Sequence, residues 1–265
     1  MKSRSAHGES NSLKTFFLYF GIVVFLIVIS LGVKSYFLLQ QSRFDREHEF
    51  ILALVTDNRV EELLVFHPGD RTVTEVSLEG SSVRLPALGS VVGVLPDAYV
   101  TSSQDLASLD AKQMLREIAW KFPSVDTNLT IFDAFGLMVT AQRATVNAQD
   151  REVITVSKET EAVDQQLNNL FVDDTIFAEN ISIQIINASD QPGLGRRLER
   201  ILEHLGANIV AISSARQEEE ISTIQYYGKI SYTLKKFKKL LNFPIKQIEK
   251  KTIADIVIII GNDAK

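Results

Sequence analysis

A glycine-bearing turn between a predicted strand and a predicted helix is the first candidate binding site in this sequence. Gly193-Leu194-Gly195 stands where a dinucleotide or phosphate loop would lie, and Arg196 and Arg197 follow it directly. Leu198 replaces the third glycine of the dinucleotide pattern, and the next predicted strand ends without the acidic residue that binds a ribose. The pattern favours a plain tight turn. The alternative is an anion site, formed by the free amide groups of the helix start and by the two arginines.

A cluster of lysines on a later predicted helix is the second candidate, and it comprises Lys235, Lys236, Lys238 and Lys239. The apolar stripe of the same helix is formed by Leu234, Phe237 and Leu241, so the lysines are expected to point outward. Three interpretations stay open. The lysines form a solvated face, or they bind an anionic polymer or lipid headgroup, or they dock on the acidic segment 158–180 of their own chain. In the second case each lysine contributes about 1 kcal/mol near an anionic surface.

Other chemistry finds little support in the residue types and their spacing. The four histidines are scattered, and His48-Glu49 does not extend to the H-E-x-x-H pattern of zinc peptidases. The chain has no cysteine, which excludes disulfides, thiolate metal sites and a cysteine nucleophile. The net charge of −5 provides no global basic field for nucleic acid. The sequence therefore predicts no catalytic residue, no metal, no cofactor and no nucleic-acid partner.

A βαβ unit is predicted around the glycine-bearing turn. Residues 181–186 are mostly β-branched and predict a buried strand, and residues 208–212 predict a second one. Between them lies an amphipathic helix that ends at Gly206, a residue suited to a left-handed helix end. Pro192 is expected in the first helical turn, with Ser189 or Asp190 as its cap. The predicted structural turn residues are Asn187, Pro192, Gly193 and Gly195.

The N-terminal region predicts a membrane anchor. Residues 15–33 carry no charge, and about 20 such residues span the apolar core of a bilayer. The apolar run is longer than that of a signal peptide and no clean cleavage site follows it. We expect residues 1–14 to be a cytoplasmic tail and residues 15–39 to be a single transmembrane helix. Basic residues are equally numerous on both sides, so only the acidic residues at 45, 47 and 49 favour this orientation.

The remaining chain predicts two α/β domains joined by an acidic connector. Residues 47–157 show strand patterns at 50–55, 61–66, 72–78, 129–132 and 152–156, a helix at 102–121 and a helical turn at 133–139. The second and third strands are expected to form a hairpin. Residues 158–180 form the connector, in which an apolar pattern permits a short helix. Residues 181–265 contain the βαβ unit, further strands at 221–227 and 254–260, and a helix at 231–241.

Five segments in this last region resemble the LytR C-terminal domain, and they lie in the order typical of that family. They are residues 183–188, 192–195, 205–206, 223–226 and 254–263. One departure is Ala188, where the family usually has glycine. The resemblance implies a small α/β module of the kind that accompanies the cell-wall ligase domain of LytR-CpsA-Psr proteins.

Residues 47–157 more faintly resemble a shortened LytR-CpsA-Psr domain, through segments 51–59, 73–78 and 131–136. That resemblance implies arginines that bind polyprenyl pyrophosphate lipids and a magnesium-ligating aspartate that serves transfer of glycopolymers to peptidoglycan. The Ser-Ile-Pro-Arg-Asp motif of the family reads Ser-Leu-Glu-Gly-Ser at 77–81, without its proline, arginine and aspartate. The domain is therefore similar to a degenerate, non-catalytic member, with Asp57 and Arg59 as remnants of a site.

These observations together predict a single-pass protein of the bacterial cell membrane with both α/β domains outside the cytoplasm. The expected function is binding or scaffolding in the assembly of cell-wall glycopolymers, with the bilayer and a glycopolymer or envelope proteins as partners. The alternative is a divergent phosphotransferase that uses Asp57 and Arg59. A DNA-contacting regulator is disfavoured by the anchor and by the acidic isoelectric point.

Overall fold

The structure, a computed structural model, describes residues 9–80, 82–102, 109–145, 151–156, 160–167 and 170–264. Several predicted segments lie partly outside this description: residues 1–8 of the predicted tail, Ser81 of the motif predicted to be degenerate, residues 103–108 of the predicted helix, Ser157 at the end of the predicted middle domain, and residues 158, 159, 168 and 169 of the predicted connector. The chain divides into two compact units, Met1–Ser42 and Arg43–Lys265.

The first unit contains one long helix, α1 (Glu9–Gln40). Within Thr15–Gln40 the most apolar stretch of 18 residues has a mean hydropathy of 2.8, and none of that stretch is buried within the protein. By length and composition it is apolar enough to cross a membrane. The predicted apolar helix is confirmed, and it extends one residue beyond the expected end.

The second unit begins with a six-stranded sheet in the order β5-β4-β1-β2-β3-β6. Its strands are β1 (Phe50–Thr56), β2 (Arg59–His67), β3 (Thr72–Gly80), β4 (Ala98–Ser102), β5 (Asp126–Thr127) and β6 (Arg151–Val156). Strands β1, β2 and β3 are antiparallel neighbours, whereas β4 and β6 pair in parallel with β1 and β3. The hairpin expected from the second and third strand patterns is confirmed.

Both faces of this first sheet are covered by apolar residues. On β1, Phe50, Leu52 and Leu54 point into a core shared with the helices α3 (Ala111–Trp120) and α4 (Ile131–Arg143). The alternate residues Ile51, Ala53 and Val55 point into a second core on the opposite face. The continuous apolar run in the sequence reflects this two-sided burial.

Two predictions in this region differ from the structure, one in the residue at which a helix begins and the other in the type of element. Of the predicted helix at 102–121, the structure has a helix that starts at Ala111, where Asp110 caps it through Gln113 N; Ser102 ends the strand Ala98–Ser102 instead, and residues 103–108 lie outside the description. The predicted strand at 129–132 is the start of α4. Thr130 and Asp133 form a reciprocal capping box there, which satisfies two amide donors at the helix start and overrides the strand-like composition.

The connector contains two short helices, α5 (Thr160–Leu167) and α6 (Asp174–Glu179). A further short helix, α2 (Leu88–Val91), precedes β4. The expected apolar stripe of the connector is confirmed, because Val163, Leu167 and Phe171 are buried in the second core and Leu170 packs against it.

The C-terminal region forms a five-stranded sheet in the order β10-β9-β11-β7-β8. Its strands are β7 (Ser182–Asn187), β8 (Asn208–Ser214), β9 (Thr223–Tyr227), β10 (Ile245–Ile248) and β11 (Ile256–Ile260). Strand β7, the helix α7 (Leu194–His204) and the parallel strand β8 form the predicted βαβ unit. The helix α8 (Tyr232–Leu241) joins β9 to β10, and β10 had no counterpart in the sequence analysis.

Helix α7 begins at Leu194, later than the predicted caps Ser189 and Asp190 imply. Its N-cap is Gly193 in the left-handed region (φ +88°), and no side chain caps it, so the predicted caps Ser189 and Asp190 are wrong. At the other end Gly206 has φ +84°, as expected of a left-handed helix end.

The two sheets share the second core. Ile51 and Val65 of the first sheet belong to the same buried cluster as Ile183 and Ile258 of the second. Residues 43–265 therefore fold as one compact unit, in which the two sheets meet along a seam.

Candidate functional site

A polar cavity of about 230 Å³ opens at the seam between the two sheets. We call it the junction cavity. The segment before β1 and the residue before β4 form one side, and α8 forms the other. Its lining residues are Arg43, Asp45, His48, Glu49, Phe50, Asp97, Tyr232, Lys235, Lys236 and Lys239. Opposite charges from the two sheets meet in this small space.

A buried ion pair forms the floor of the junction cavity. The Nζ of Lys236 lies 2.7 Å from Oδ1 of Asp97, and the two side chains are only 9% and 7% exposed. Lys236 also donates to the carbonyl oxygen of Glu49 at 3.0 Å, and Oδ2 of Asp97 accepts from the amide of Ile51 at 2.9 Å. These extra hydrogen bonds satisfy groups that burial removes from water, which is the condition for a buried pair to be tolerated.

The four lysines of α8 therefore differ, and the expectation that all point outward is wrong for Lys236. The side of α8 that carries Lys236 faces the first sheet, and Asp97 lies there as its partner. Lys239 donates from Nζ to the carbonyl oxygen of Arg43 at 2.8 Å, and burial together with the charges of Lys236 and Arg43 lowers its pKa. Lys235, Lys238 and Lys239 all have exposed side chains, and of these three Lys235 and Lys239 line the cavity.

An acidic and aromatic cluster also lines the junction cavity, with Asp45 and His48 from the segment before β1 and Tyr232 from α8. The ring of His48 stacks on that of Tyr232 at a centroid distance of 3.8 Å, and Nδ1 of His48 lies 2.8 Å from Oδ2 of Asp45. The hydroxyl of Tyr232 donates to the buried Asp173 at 2.7 Å. Burial, and after it the negative charge of Asp173, raises the pKa of Tyr232, so this hydroxyl keeps its proton.

Glu49 is a lining residue of this cavity whose pKa differs strongly from its ordinary value. Burial raises the pKa of its carboxyl to about 7, and the negative charges of Asp173 and Asp174 act in the same direction. The cavity can therefore take up or release a proton near neutral pH. Among the described residues, no three His, Asp or Glu side chains are grouped so that they could hold a metal ion.

A second contact joins the sheets beside α7. Arg200 forms an ion pair with Asp164 of α5, with 2.6 Å between Nη2 and Oδ1, and it donates to the carbonyl oxygens of Ser90 and Val91. Nδ1 of His204 lies 2.9 Å from the carbonyl oxygen of Gly93. These contacts orient the C-terminal sheet relative to α2 and α5.

The glycine-bearing turn forms a separate groove of about 770 Å³ at the start of α7. The structure brings four of the predicted residues together there, namely Asn187, Gly193, Gly195 and Arg196. Ser213 and Ser214 at the end of β8 also line it, whereas Arg197 and Pro192 are not among its lining residues. Asn187 organises the turn, because its Nδ2 donates to the carbonyl oxygen of Gln191 at 2.8 Å and its Oδ1 accepts from Ser189.

The predicted remnant site lies elsewhere. Asp57 and Asn58 form the two-residue turn of the β1–β2 hairpin, with φ values of +50° and +65°, and Arg59 pairs with Thr56 across it. Asp57 and Arg59 are exposed, and neither lines the junction cavity or the groove at α7.

Residues 180–263 match the family model described as "LytR cell envelope-related transcriptional attenuator", LytR_C. The chain carries a LytR C-terminal domain. The match covers about a third of the chain and corresponds to the five-stranded sheet with its two helices. Searches of curated proteins and of solved structures gave no significant match.

The junction cavity is lined by residues of the LytR C-terminal domain and by residues that precede this domain. Tyr232 and Lys236 belong to the domain, whereas Glu49, Asp97 and Asp173 precede it. Sequence reasoning missed these three acidic residues because nothing in their local pattern marks them. For Asp97 the only available signal was its place after Pro96, directly before the short strand-like run of β4.

Proposed function

We propose that the protein is a single-pass membrane protein of the bacterial cell envelope whose residues 43–265 lie outside the cytoplasm and bind an anionic envelope component. One observation carries this proposal: an N-terminal helix apolar enough to span a bilayer precedes a LytR C-terminal domain in the same chain. Together they fit a membrane-anchored protein of the cell envelope. The anchor keeps the rest of the chain at the membrane, where glycopolymers of the cell wall are assembled.

The exposed lysines of α8 support a binding role. Lys235 and Lys238 lie three positions apart, hence on neighbouring parts of one helix face, and both are exposed. Two such cations contribute about 2 kcal/mol near an anionic surface. Asp57 and Arg59, the predicted remnants of a ligase-like site, lie on an exposed hairpin turn and line neither the junction cavity nor the groove at α7, which favours binding over catalysis.

Topology is tested by protease treatment of cells that carry an epitope at the C-terminus of the full chain. We expect the epitope to be lost from intact spheroplasts while a cytoplasmic marker protein survives. Protection of the epitope until the membrane is lysed would contradict the extracytoplasmic assignment.

Binding is tested by sedimentation of the detergent-solubilised full chain with purified cell-wall sacculi. The double variant Lys235→Gln/Lys238→Gln should sediment less, because two cations leave the proposed surface. The control Lys229→Gln/Lys250→Gln changes the net charge equally at exposed residues outside α8 and should sediment like the wild type. Unchanged sedimentation of the first variant would remove the lysine face from the proposal.

A catalytic role is tested separately. Phosphate release from a polyprenyl pyrophosphate in the presence of magnesium, abolished by Asp57→Ala, would contradict the non-catalytic part of the proposal.

A further inference from the structure

Helix α4 turns apolar side chains toward solvent. Four of its residues are 36–41% exposed, namely Ile131, Phe132, Phe135 and Val139. Their spacing places them on one side of the helix, opposite the buried residues Ala134, Leu137 and Ala141. We call these four residues together with Trp120 the outer apolar face.

Trp120 extends this face onto the neighbouring helix. It is the last residue of α3 and is 76% exposed. Helices α3 and α4 run in opposite directions, because Gln142 near the end of α4 donates to the carbonyl oxygen of Lys112 near the start of α3. Trp120 and Ile131 therefore lie at the same end of the helix pair.

Apolar residues on the solvent side are unusual for a helix that packs on a sheet. Such helices bury one apolar stripe and present polar residues on the other side. Helix α3 follows that rule apart from Trp120, since its outward residues are Gln113, Arg116 and Glu117. On α4 the outward positions are apolar until Gln142 and Arg143 at the very end. Adjacent exposed aromatic residues of this kind mark contact with a partner or a membrane.

The position of α4 in the chain favours a membrane. Oδ1 of Asp133 on α4 accepts hydrogen bonds from the backbone amides of Arg43 and Phe44, each at 2.9 Å. Only Gln41 and Ser42 separate Arg43 from the last residue of α1. Helix α4 is thus hydrogen-bonded to the chain segment that directly follows the apolar helix.

Basic groups flank the same helix. A Cβ placed on Gly136 of α4 would lie 3.3 Å from Nε and Nη2 of Arg46, so this guanidinium group covers the helix beside the apolar face. Arg143 ends the helix and is exposed. Aromatic and aliphatic residues rimmed by arginines are the composition of elements that lie in the interfacial layer of anionic membranes.

We propose that the outer apolar face of α3 and α4 rests in the interfacial layer of the lipid bilayer that holds the N-terminal anchor. This inference relies on the membrane anchoring contained in the proposed function. The side chains of Phe132 and Phe135 enter the boundary between headgroups and acyl chains, and the indole ring of Trp120 lies at headgroup level.

The experiment uses Trp120 as its probe, since it is the only tryptophan of the chain. The full-length protein is reconstituted into vesicles of phosphatidylcholine and phosphatidylglycerol, with or without acyl chains brominated near the headgroup. Flotation of the vesicles first establishes that the protein is anchored. We then expect the fluorescence of Trp120 to be shifted to shorter wavelength and quenched by the brominated lipid.

Substitutions of exposed phenylalanines test whether the quenching of Trp120 by lipid depends on the outer apolar face. Phe132→Gln/Phe135→Gln should lose most of the quenching by lipid, because it removes the inserted side chains without touching the core. The control Phe177→Gln changes a phenylalanine that is 68% exposed on α6 and should keep the quenching. Circular dichroism checks that the fold of each variant is retained.

Each contrary outcome has a distinct meaning. A floating protein whose Trp120 is not quenched by lipid, but is accessible to aqueous acrylamide, overturns the docking proposal and leaves the anchor in place. Fluorescence at short wavelength without lipid quenching also overturns it, and assigns the face to a second copy or to another protein. A protein that does not float overturns both the docking and the anchoring.

Discussion

The Lys236–Asp97 and Arg200–Asp164 ion pairs, both among the described residues, connect the LytR C-terminal domain to the preceding part of the chain, and their surroundings differ. The Lys236–Asp97 pair is enclosed, with both side chains at most 9% exposed. The Arg200–Asp164 pair lies nearer the surface, with side chains 15% and 33% exposed. Both have short contacts, so distance does not distinguish them.

Burial changes what each pair contributes. A charge that loses its partner inside the protein is not rehydrated, whereas one near the surface is screened by water. Arg200 also donates to two carbonyl oxygens, so its position does not depend on Asp164 alone. We call Lys236–Asp97 the inner pair and Arg200–Asp164 the outer pair. The inner pair should therefore contribute more free energy to the packing of the two sheets than the outer pair does.

Removal of one partner of the inner pair should have the largest effect. We expect Lys236→Met to lower the free energy of unfolding by about 3–5 kcal/mol, because the carboxylate of Asp97 stays buried without its cation. Denaturant unfolding of the full chain in detergent measures this change.

The neighbouring lysine provides the matched control. Lys235→Met makes the same chemical change one residue earlier at an exposed position, and should alter stability by no more than about 0.5 kcal/mol. Equal effects of the two substitutions would show that the Lys236–Asp97 pair is not enclosed in solution.

The outer pair should give an intermediate effect. Arg200→Ala removes the ion pair with Asp164 and two hydrogen bonds, and we expect a loss of about 1–3 kcal/mol. High salt should weaken this contribution more than that of the inner pair, because partly exposed charges are screened. A loss as large as that of Lys236→Met would contradict the distinction between the two contacts.

Protonation of Glu49 should give the smallest effect. Its pKa in the folded protein is raised to about 7, above that of an ordinary glutamate, so its favourable contribution is complete at acidic pH and is lost as the pH rises through about 7. The raised pKa sets an upper limit of about 3 kcal/mol for this carboxyl, which is only 8% exposed, and we expect about 1 kcal/mol because relaxation and water entry reduce such penalties.

The comparison of wild type with Glu49→Gln isolates this group. The two proteins should be similarly stable at pH 4, below the ordinary pKa of glutamate, and the glutamine variant should be the more stable one at pH 8. A stability difference that does not change with pH would refute protonation of Glu49 near neutrality. Glu49→Gln leaves the Lys236–Asp97 pair intact, so the comparison reports on the protonation of Glu49 alone.

Local patterns in the sequence explain which predictions succeeded. The uncharged run from residue 15, the β-branched run of β7 and the amphipathic spacing of α7 are read within one element, and the structure has all three. The error at α4 was avoidable, since Thr130 and Asp133 have the spacing of a helix cap. The late start of α7 was less visible, because Gly193 caps it by backbone conformation rather than by a side chain.

The sequence by itself determined the apolar helix, the two α/β regions and the family of the C-terminal domain, because each depends on the order and periodicity of neighbouring residues. Only the tertiary structure decided that Lys236 meets Asp97 while Lys235 stays in water. It also decided that the far side of α4 is apolar and uncovered by the described residues. Contacts between distant segments depend on how the two sheets pack, and no local pattern records that packing.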